Sequence, residues 1–419
     1  MSKKRRQIRL RFTYALFAVI LMSGYGCGRA FLVSHTSPLG MKMLSRIIDS
    51  GTQIGAYSSL AYTSGGVPYV AYRDGYNGTL KMAWLDRSGY WDNVVVTGGT
   101  GYIDAGSYGS MGISNGNNYY ISYFDPISNA LEMVTGPLPS NIGSIAQPKM
   151  YTLDHVTPAQ PYNQTGLYTS LKLGQNDKVN ISYMHIVLDS NDPSRVVAAY
   201  PRYVSWSSGV SISPQVVDPG IEGRALAQPL ASTAYSTGIA VAPDGTIWLA
   251  YYDVFDHALK IAKNKGGTWV TQVVDNSGYD DGQYLSLTLD SKGYPHLSYT
   301  ENTGTVTIAL KYAWYDGSAF HNEYVDYESG VKFVTNSIVL DGNGNPVIAY
   351  YDSTFNQLKV AFISDNRWNI SILDSALLSG FYPSLALAPT GTPTVTYQQY
   401  APGFNLFTIK FGIIDYNNL

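Results

Sequence analysis

Gly344-Asn345-Pro346-Val347-Ile348-Ala349-Tyr350-Tyr351-Asp352, followed by Leu358-Lys359-Val360-Ala361 and then by Trp368 opening Asn369-Ile370-Ser371-Ile372-Leu373-Asp374, is one unit of a repeat. Aligned on the first Ser or Thr of each unit, the copies begin at Ser59, Ser110, Ser170, Thr237, Ser286, Ser337 and Ser384, with intervals of 51, 60, 67, 49, 51 and 47 residues. Periods near fifty with strand-like content predict a propeller, one four-stranded sheet per repeat. Within a unit, strand A ends in a Gly/Asn/Asp turn such as Asp341-Gly342-Asn343-Gly344, where a tight hairpin needs residues that tolerate positive φ. Strand B carries Ala/Ser/Thr-Tyr, at Tyr72, Tyr123, Tyr183, Tyr251, Tyr299, Tyr350 and Tyr397. These tyrosines read as wedges between blades, with hydroxyls reaching polar groups at the core's edge. Strand C carries Leu-Lys or a variant, and strand D opens on an aromatic residue and closes on Asp.

The last copy supplies strands A to C and the chain then stops at Leu419, whereas Ser45-Arg46-Ile47-Ile48-Asp49 has the ending of a strand D and precedes the first strand A. The expected fold is therefore all-β: a seven-bladed β-propeller of four-stranded antiparallel blades over residues 43–419, its ring closed by the N-terminal strand joining the last blade.

The composition agrees. Its 41 Gly, 20 Pro and 36 Tyr, with only 14% charged residues, suit short strands joined by tight turns. A formal charge of −3 gives no basic footprint, so nucleic acid is not the expected partner. The N-terminus stands apart: six Lys and Arg among residues 1–11, then an apolar run from Phe12 to Met22, read as a signal peptide over residues 1–26. Gly24-Tyr25-Gly26-Cys27 resembles a lipoprotein cleavage site, which would make Cys27 the lipidated first residue and residues 27–42 a tether. Ordinary secretion or an uncleaved anchor is the other reading; any membrane contact is expected only through this N-terminus. Cys27 is the one cysteine, so no internal disulfide holds the ring.

With the Asn-Gly-type turns, the Tyr-Tyr-Asp strand and the Leu-Lys-x-Ala strand in view, the chain resembles the bacterial sialidase-like and lectin-like β-propellers. Lys265-Gly266-Gly267-Thr268-Trp269 resembles the tail of the sialidase Asp-box, Ser-x-Asp-x-Gly-x-Thr-Trp, and departs from it at the Ser and Asp positions, read as Lys263 and Lys265. In that family the box is structural and remote from catalysis, so the resemblance implies fold rather than hydrolysis. The Arg-Ile-Pro signature of the sialidase arginine site is absent from the sequence.

Strand direction alternates within a blade, which puts B–C loops and D-to-A crossovers on one face. The strand-B ends Asp74, Asp125, His185, Asp253, Glu301, Asp352 and Gln399 fall there, as do the strand-D ends Asp49, Asp154, Asp218, Asp275, Asp326 and Asp374. Two partial rings of carboxylates can bind cations or sugar hydroxyls. They also suit cross-strand ion pairs, Asp74 with Lys81, Asp253 with Lys260 and Asp352 with Lys359, and turn capping.

Breaks in the repeat single out blades 2 to 4. Extra residues near 154–166, 186–201 and 218–234 all belong to this face, and loops on a rigid scaffold are where binding tends to reside. The candidate ligand-binding residues are His185, Asp189, Asp192, Arg195, Arg202, Glu222 and Arg224. The arginines suit a carboxylate, and the acids suit acid–base work. Tyr168 and Tyr235 join them, as members of a set (Tyr57, Tyr108, Tyr168, Tyr235, Tyr284, Tyr382, with Phe333 near the matching place in blade 6) expected around the mouth of the central channel. His155, His185 and His257 match no metal-ligand spacing, so neither a metal nor a cofactor is expected. The expected role is an exported surface module that binds a glycan or protein ligand, or scaffolds one, without catalysis. The competing class is a secreted sialidase-like glycoside hydrolase or lyase with its cleft on the same face, and a structural subunit of an envelope assembly is a third.

Overall fold

The computed structural model describes residues 33–36, 42–99, 101, 103–139, 146–158, 160, 162–221, 224, 235–303, 308–327 and 333–415. The stretch expected as a signal peptide, Cys27 and Glu222 lie outside them. The described residues form seven antiparallel sheets, blade by blade in chain order. Blade 6, for example, is Phe333–Leu340, Pro346–Asp352, Gln357–Ser364 and Arg367–Asp374. Blade 7 takes strands A to C from Ser379–Leu387, Pro393–Ala401 and Leu406–Asp415, and its strand D is Lys42–Gly51. Met43 pairs with Ile414 and Gly51 with Phe407, so the N-terminal strand closes the ring. Val33–Thr36, inside the stretch expected as a tether, pairs with residues 42–45 as a fifth strand and covers the outer edge of that sheet.

Hydrophobic clusters bridge neighbouring blades rather than filling single ones. Leu259 and Ile261 of blade 4 pack with Leu285, Leu297 and Tyr299 of blade 5. Two hydrogen-bonded belts run along these joints. In the inner belt, the Ser on which the repeat was aligned accepts the backbone N–H of the next strand A. Ser59 takes Met111 at 3.0 Å, Ser110 takes Leu171 at 2.9 Å, and Ser384 takes Leu60 at 3.1 Å across the closure. Blade 4 departs from this. Ile239, not Gly238, donates to Ser170 and pairs with Leu249, so the register places Gly238 at the Ser position and Thr237 one place earlier. The alignment on Thr237 is corrected by one residue.

The outer belt joins the strand-B tyrosine to the Asp that ends the preceding strand D. The six bonds are Tyr72–Asp49 at 2.8 Å, Tyr183–Asp154 at 2.7 Å, Tyr251–Asp218 at 2.5 Å, Tyr299–Asp275 at 2.5 Å, Tyr350–Asp326 at 2.7 Å and Tyr397–Asp374 at 2.9 Å. A register shift in the C–D ladder, as between Leu358 and Lys359, aims the carboxylate at the next blade. The strand-C cation completes the joint: Lys81 meets Asp49 at 2.5 Å and Lys410 meets Asp374 at 2.9 Å. Lys81 therefore does not pair with Asp74 as expected. The bulged Asp49 reaches it from the neighbouring blade, and Asp74 instead caps its own B–C turn through the Asn77 backbone and side chain. The other two expected pairs form, Lys260–Asp253 at 2.5 Å and Lys359–Asp352 at 2.7 Å. Blade 2 changes both partners at once: Thr97 stands where the Asp would be, and Glu132 where the Lys would be.

In the Asp-box-like tail the assignment of Lys263 and Lys265 is corrected by one residue: counting back from Trp269 places Ala262 at the box's Ser position and Asn264 at its Asp position. Asn264 Oδ1 accepts the Gly267 N–H at 3.0 Å and holds the turn.

Candidate functional site

Most carboxylates sorted to the loop-bearing face are occupied by the joints. Of the residues singled out in blade 3, Arg202 stands opposite Tyr183, the position that Lys81 holds opposite Tyr72. It contacts Asp154 at 2.9 Å, so it is the cation of the blade 2–3 joint. His185 is buried beside it, its ring centroid 5.1 Å from that of Tyr200. Burial, reinforced by the Arg202 charge, pushes the imidazole down to about 4, so it is neutral at physiological pH. Its Nδ1 has no partner among the described residues.

The insertion at 186–201 lengthens the B–C hairpin, with Ile186 opposite Ala199 and Leu188 opposite Val196. Asp189, Asp192 and Arg195 lie at its tip. Arg195 is 3.8 Å from Asp189, and Asp192 accepts the Ser194 N–H and hydroxyl. Arg224 pairs with Asp256 at 3.1 Å and lies over the Phe255 ring. Each of the three arginines thus has its own aspartate, on a different element. The histidines are likewise separate: His155 contacts the Val156 carbonyl, His185 stacks on Tyr200 and His257 contacts Asp280. A groove of about 450 Å³ runs between the hairpin and the preceding crossover, lined by Tyr162, Asn163, Leu188 and Asp189 among others.

The channel mouth is where the repeat's aromatic residues converge. Five blades begin strand A with Gly-x-Tyr: Gly55 to Tyr57, Gly106 to Tyr108, Gly166 to Tyr168, Gly282 to Tyr284 and Gly380 to Tyr382. All five tyrosines are left-handed, with φ between 49° and 55°. This is an uncommon conformation for an aromatic residue, held here by the glycine two places earlier. At Gly166 and Gly380, also at positive φ, a Cβ would lie 2.7 and 2.8 Å from the Cα of Leu131 and Leu358 in the preceding blade, so only glycine lets the strand come this close. The kink turns each tyrosine toward the axis. Ring centroids run 4.7 Å from Tyr382 to Tyr57, 4.7 Å on to Tyr108, and 4.4 Å on to Tyr168.

Blades 4 and 6 break this arc. In blade 4 the corrected register puts Ser236 at the tyrosine position, and Tyr235, one place earlier, packs edge-on to Tyr168 at 6.3 Å. In blade 6 the position belongs to Thr335, because Ser337 pairs with Ala349 as Ser59 pairs with Ala71. The sequence reading placed Phe333 near it; the strand register moves it two residues on. With threonine in place of a phenol, the mouth opens into a bowl of about 430 Å³ between the tyrosine arc, Thr335, Tyr351 and Phe381. The channel continues beneath it, lined by Ser58, Thr169, Thr237 and Asn336 among others. Burial pushes the Tyr168 hydroxyl up to about 12, and those of Tyr57, Tyr108 and Tyr382 higher still. These phenols stay protonated, able both to donate and to accept.

Thr335, Tyr351 and Phe381 were not singled out from the sequence. The repeated Gly-x-Tyr was the available signal: the blades that lack it are those where the ring changes.

No family model matches this chain, and no curated protein matches it. Among solved structures it is similar to the polysaccharide lyase Uly1, with a TM-score of 0.53 and 10% identity over 85% of this chain and 89% of that one. It is similar also to a protein of unknown function from Dyadobacter fermentans, with a TM-score of 0.49 and 12% identity over 88% and 99% of the two chains. A third is the NanB sialidase from Streptococcus pneumoniae, with a TM-score of 0.46 and 12% identity over 89% and 71%. At such identities the likeness is one of fold.

Proposed function

We propose that this protein is an exported propeller, tethered through a lipidated Cys27, that binds carbohydrate without transforming it, at the tyrosine bowl over its central channel. The observation that carries the reading is the Gly-x-Tyr device. Five blades hold a tyrosine at positive φ with its ring toward one axis, and the ring is interrupted where Thr335 makes room for a ligand. Tyrosine offers a rigid apolar face with a hydroxyl at its rim, which suits a sugar ring's C–H face and its peripheral hydroxyls. The bowl's volume falls within the ~300–1,000 Å³ of small-ligand sites. The groove beside the blade 3 hairpin, with Asp189 at its edge, gives a longer glycan a second contact on the same face.

Two features favour binding over turnover. Among the described residues lining the bowl there is no carboxylate, whereas glycoside cleavage commonly places two across the scissile bond. Burial raises the tyrosine pKa values, the reverse of what activates a phenol as nucleophile. A glycan array run beside hydrolysis and lyase screens tests the reading. Binding without turnover is the expected result. Turnover abolished by His185→Ala or Asp189→Asn would replace it with the enzymatic reading.

A further inference from the structure

We infer that the bowl selects a neutral sugar and rejects acidic ones, with Thr335 as the residue that admits it; this rests on the carbohydrate-binding reading above. Every described residue lining the bowl is uncharged. The cation whose field reaches Tyr57 and Tyr382 is Arg73, and its guanidinium is already held by both oxygens of Asp104 at 2.8 Å. The arginines over blades 2 to 4 are likewise matched, Arg202 with Asp154, Arg224 with Asp256 and Arg195 with Asp189. A sialate or uronate carboxylate entering the bowl would lose its hydration without gaining an unpaired cation, the costly way to bury a charge. A neutral ring meets the opposite situation: aromatic faces for its C–H surface and protonated phenols for its hydroxyls.

Thr335 sets the shape. Tyr351 and Phe381 pack together beside it, with centroids 4.2 Å apart, and they wall the side that a further tyrosine would otherwise fill. Its Oγ1 has no partner among the described residues.

The test is calorimetry and saturation-transfer NMR on the purified full chain with two probe sets. One set is neutral hexoses, 6-deoxyhexoses and their disaccharides, and the other is N-acetylneuraminate and glucuronate. The expected result is binding of one or more neutral probes at least tenfold tighter than either acid, with little change between 50 and 500 mM salt. Thr335→Phe, which fills the gap, should weaken that binding at least tenfold. Should that variant misfold, the salt series on the wild-type protein carries the test alone. Acidic probes binding as tightly as neutral ones, or an affinity that falls steeply with salt, would overturn neutral selection and leave carbohydrate binding intact. If no probe of either set binds, both fail.

Discussion

Tyr350, in strand B of blade 6, and Tyr57, at the head of strand A of blade 1, carry the same phenol at fixed places in one repeat. Tyr350 is fully buried and donates to Asp326 at 2.7 Å, with Lys359 on the same carboxylate at 3.6 Å. Tyr57 sits at positive φ, half-buried, its ring against two other tyrosines and its edge on an open bowl. The first has ordinary backbone and a charged partner in the neighbouring blade; the second has strained backbone and its own kind for neighbours. Strain held at the head of strand A by a repeated glycine has no use in closing the ring, which the serine and Tyr–Asp belts already accomplish. The two tyrosines differ in what they meet: one holds a joint between blades, and the other lines the bowl.

The joints should break first, and hardest, where most charge is buried. Lys311 of blade 5 faces Asp275, Asp281 at 3.1 Å and Glu301 at 2.9 Å, all inaccessible to solvent or nearly so. Lys311→Met removes the cation from three carboxylates and is expected to cost about 3–5 kcal/mol in urea unfolding. A loss under about 1 kcal/mol would mean that the joint is not held by charge. Next in size is the pair of single-atom changes that the comparison asks for. Tyr350→Phe leaves Asp326 short of a buried donor and should cost about 1–3 kcal/mol, with sugar binding unchanged. Tyr57→Phe removes a hydroxyl shared with the Tyr108 and Tyr382 phenols and should cost no more than about 1 kcal/mol, while weakening binding severalfold. Equal stability losses in the two variants would erase the distinction.

A further expected effect is one of pH. Burial pushes the Asp281 carboxyl up to about 6, against hydrogen bonds from Ser277 that act to lower it; Asp275 nearby raises it further and Lys311 opposes. Between about pH 4 and 6 the folded protein therefore keeps a proton that the unfolded chain has released, so this group's contribution to stability is lost as pH rises through 6. Asp281→Asn should flatten that part of the stability profile and leave the variant more stable than wild type at pH 8. An unchanged slope between pH 4 and 7 would contradict the assignment.

The architecture was legible because its determinants repeat. A strand-B tyrosine and a strand-D aspartate recur at fixed spacing, and a missing last strand D beside an unpaired N-terminal one leaves a single way to close the ring. What was not legible depends on register and on contacts between blades. Arg202 looked like a ligand clamp because it follows a long insertion, but register makes it the strand-C cation of an ordinary joint. Lys81 was assigned to Asp74 by the hairpin's spacing, whereas a bulge brings Asp49 to it from the blade before. The bowl was half visible: its tyrosines stood out as a column, but Thr335 is conspicuous only once Ser337 is paired with Ala349.

The most direct measurement is carbohydrate binding by a Tyr57→Ala/Tyr108→Ala double variant, compared with wild type on the same glycan array and followed by calorimetry on the glycans that wild type retains. The account predicts at least a tenfold loss of affinity with the seven-bladed fold retained by circular dichroism. Undiminished binding by a folded double variant would contradict it, and would move the site from the channel mouth to the loops over blades 2 to 4.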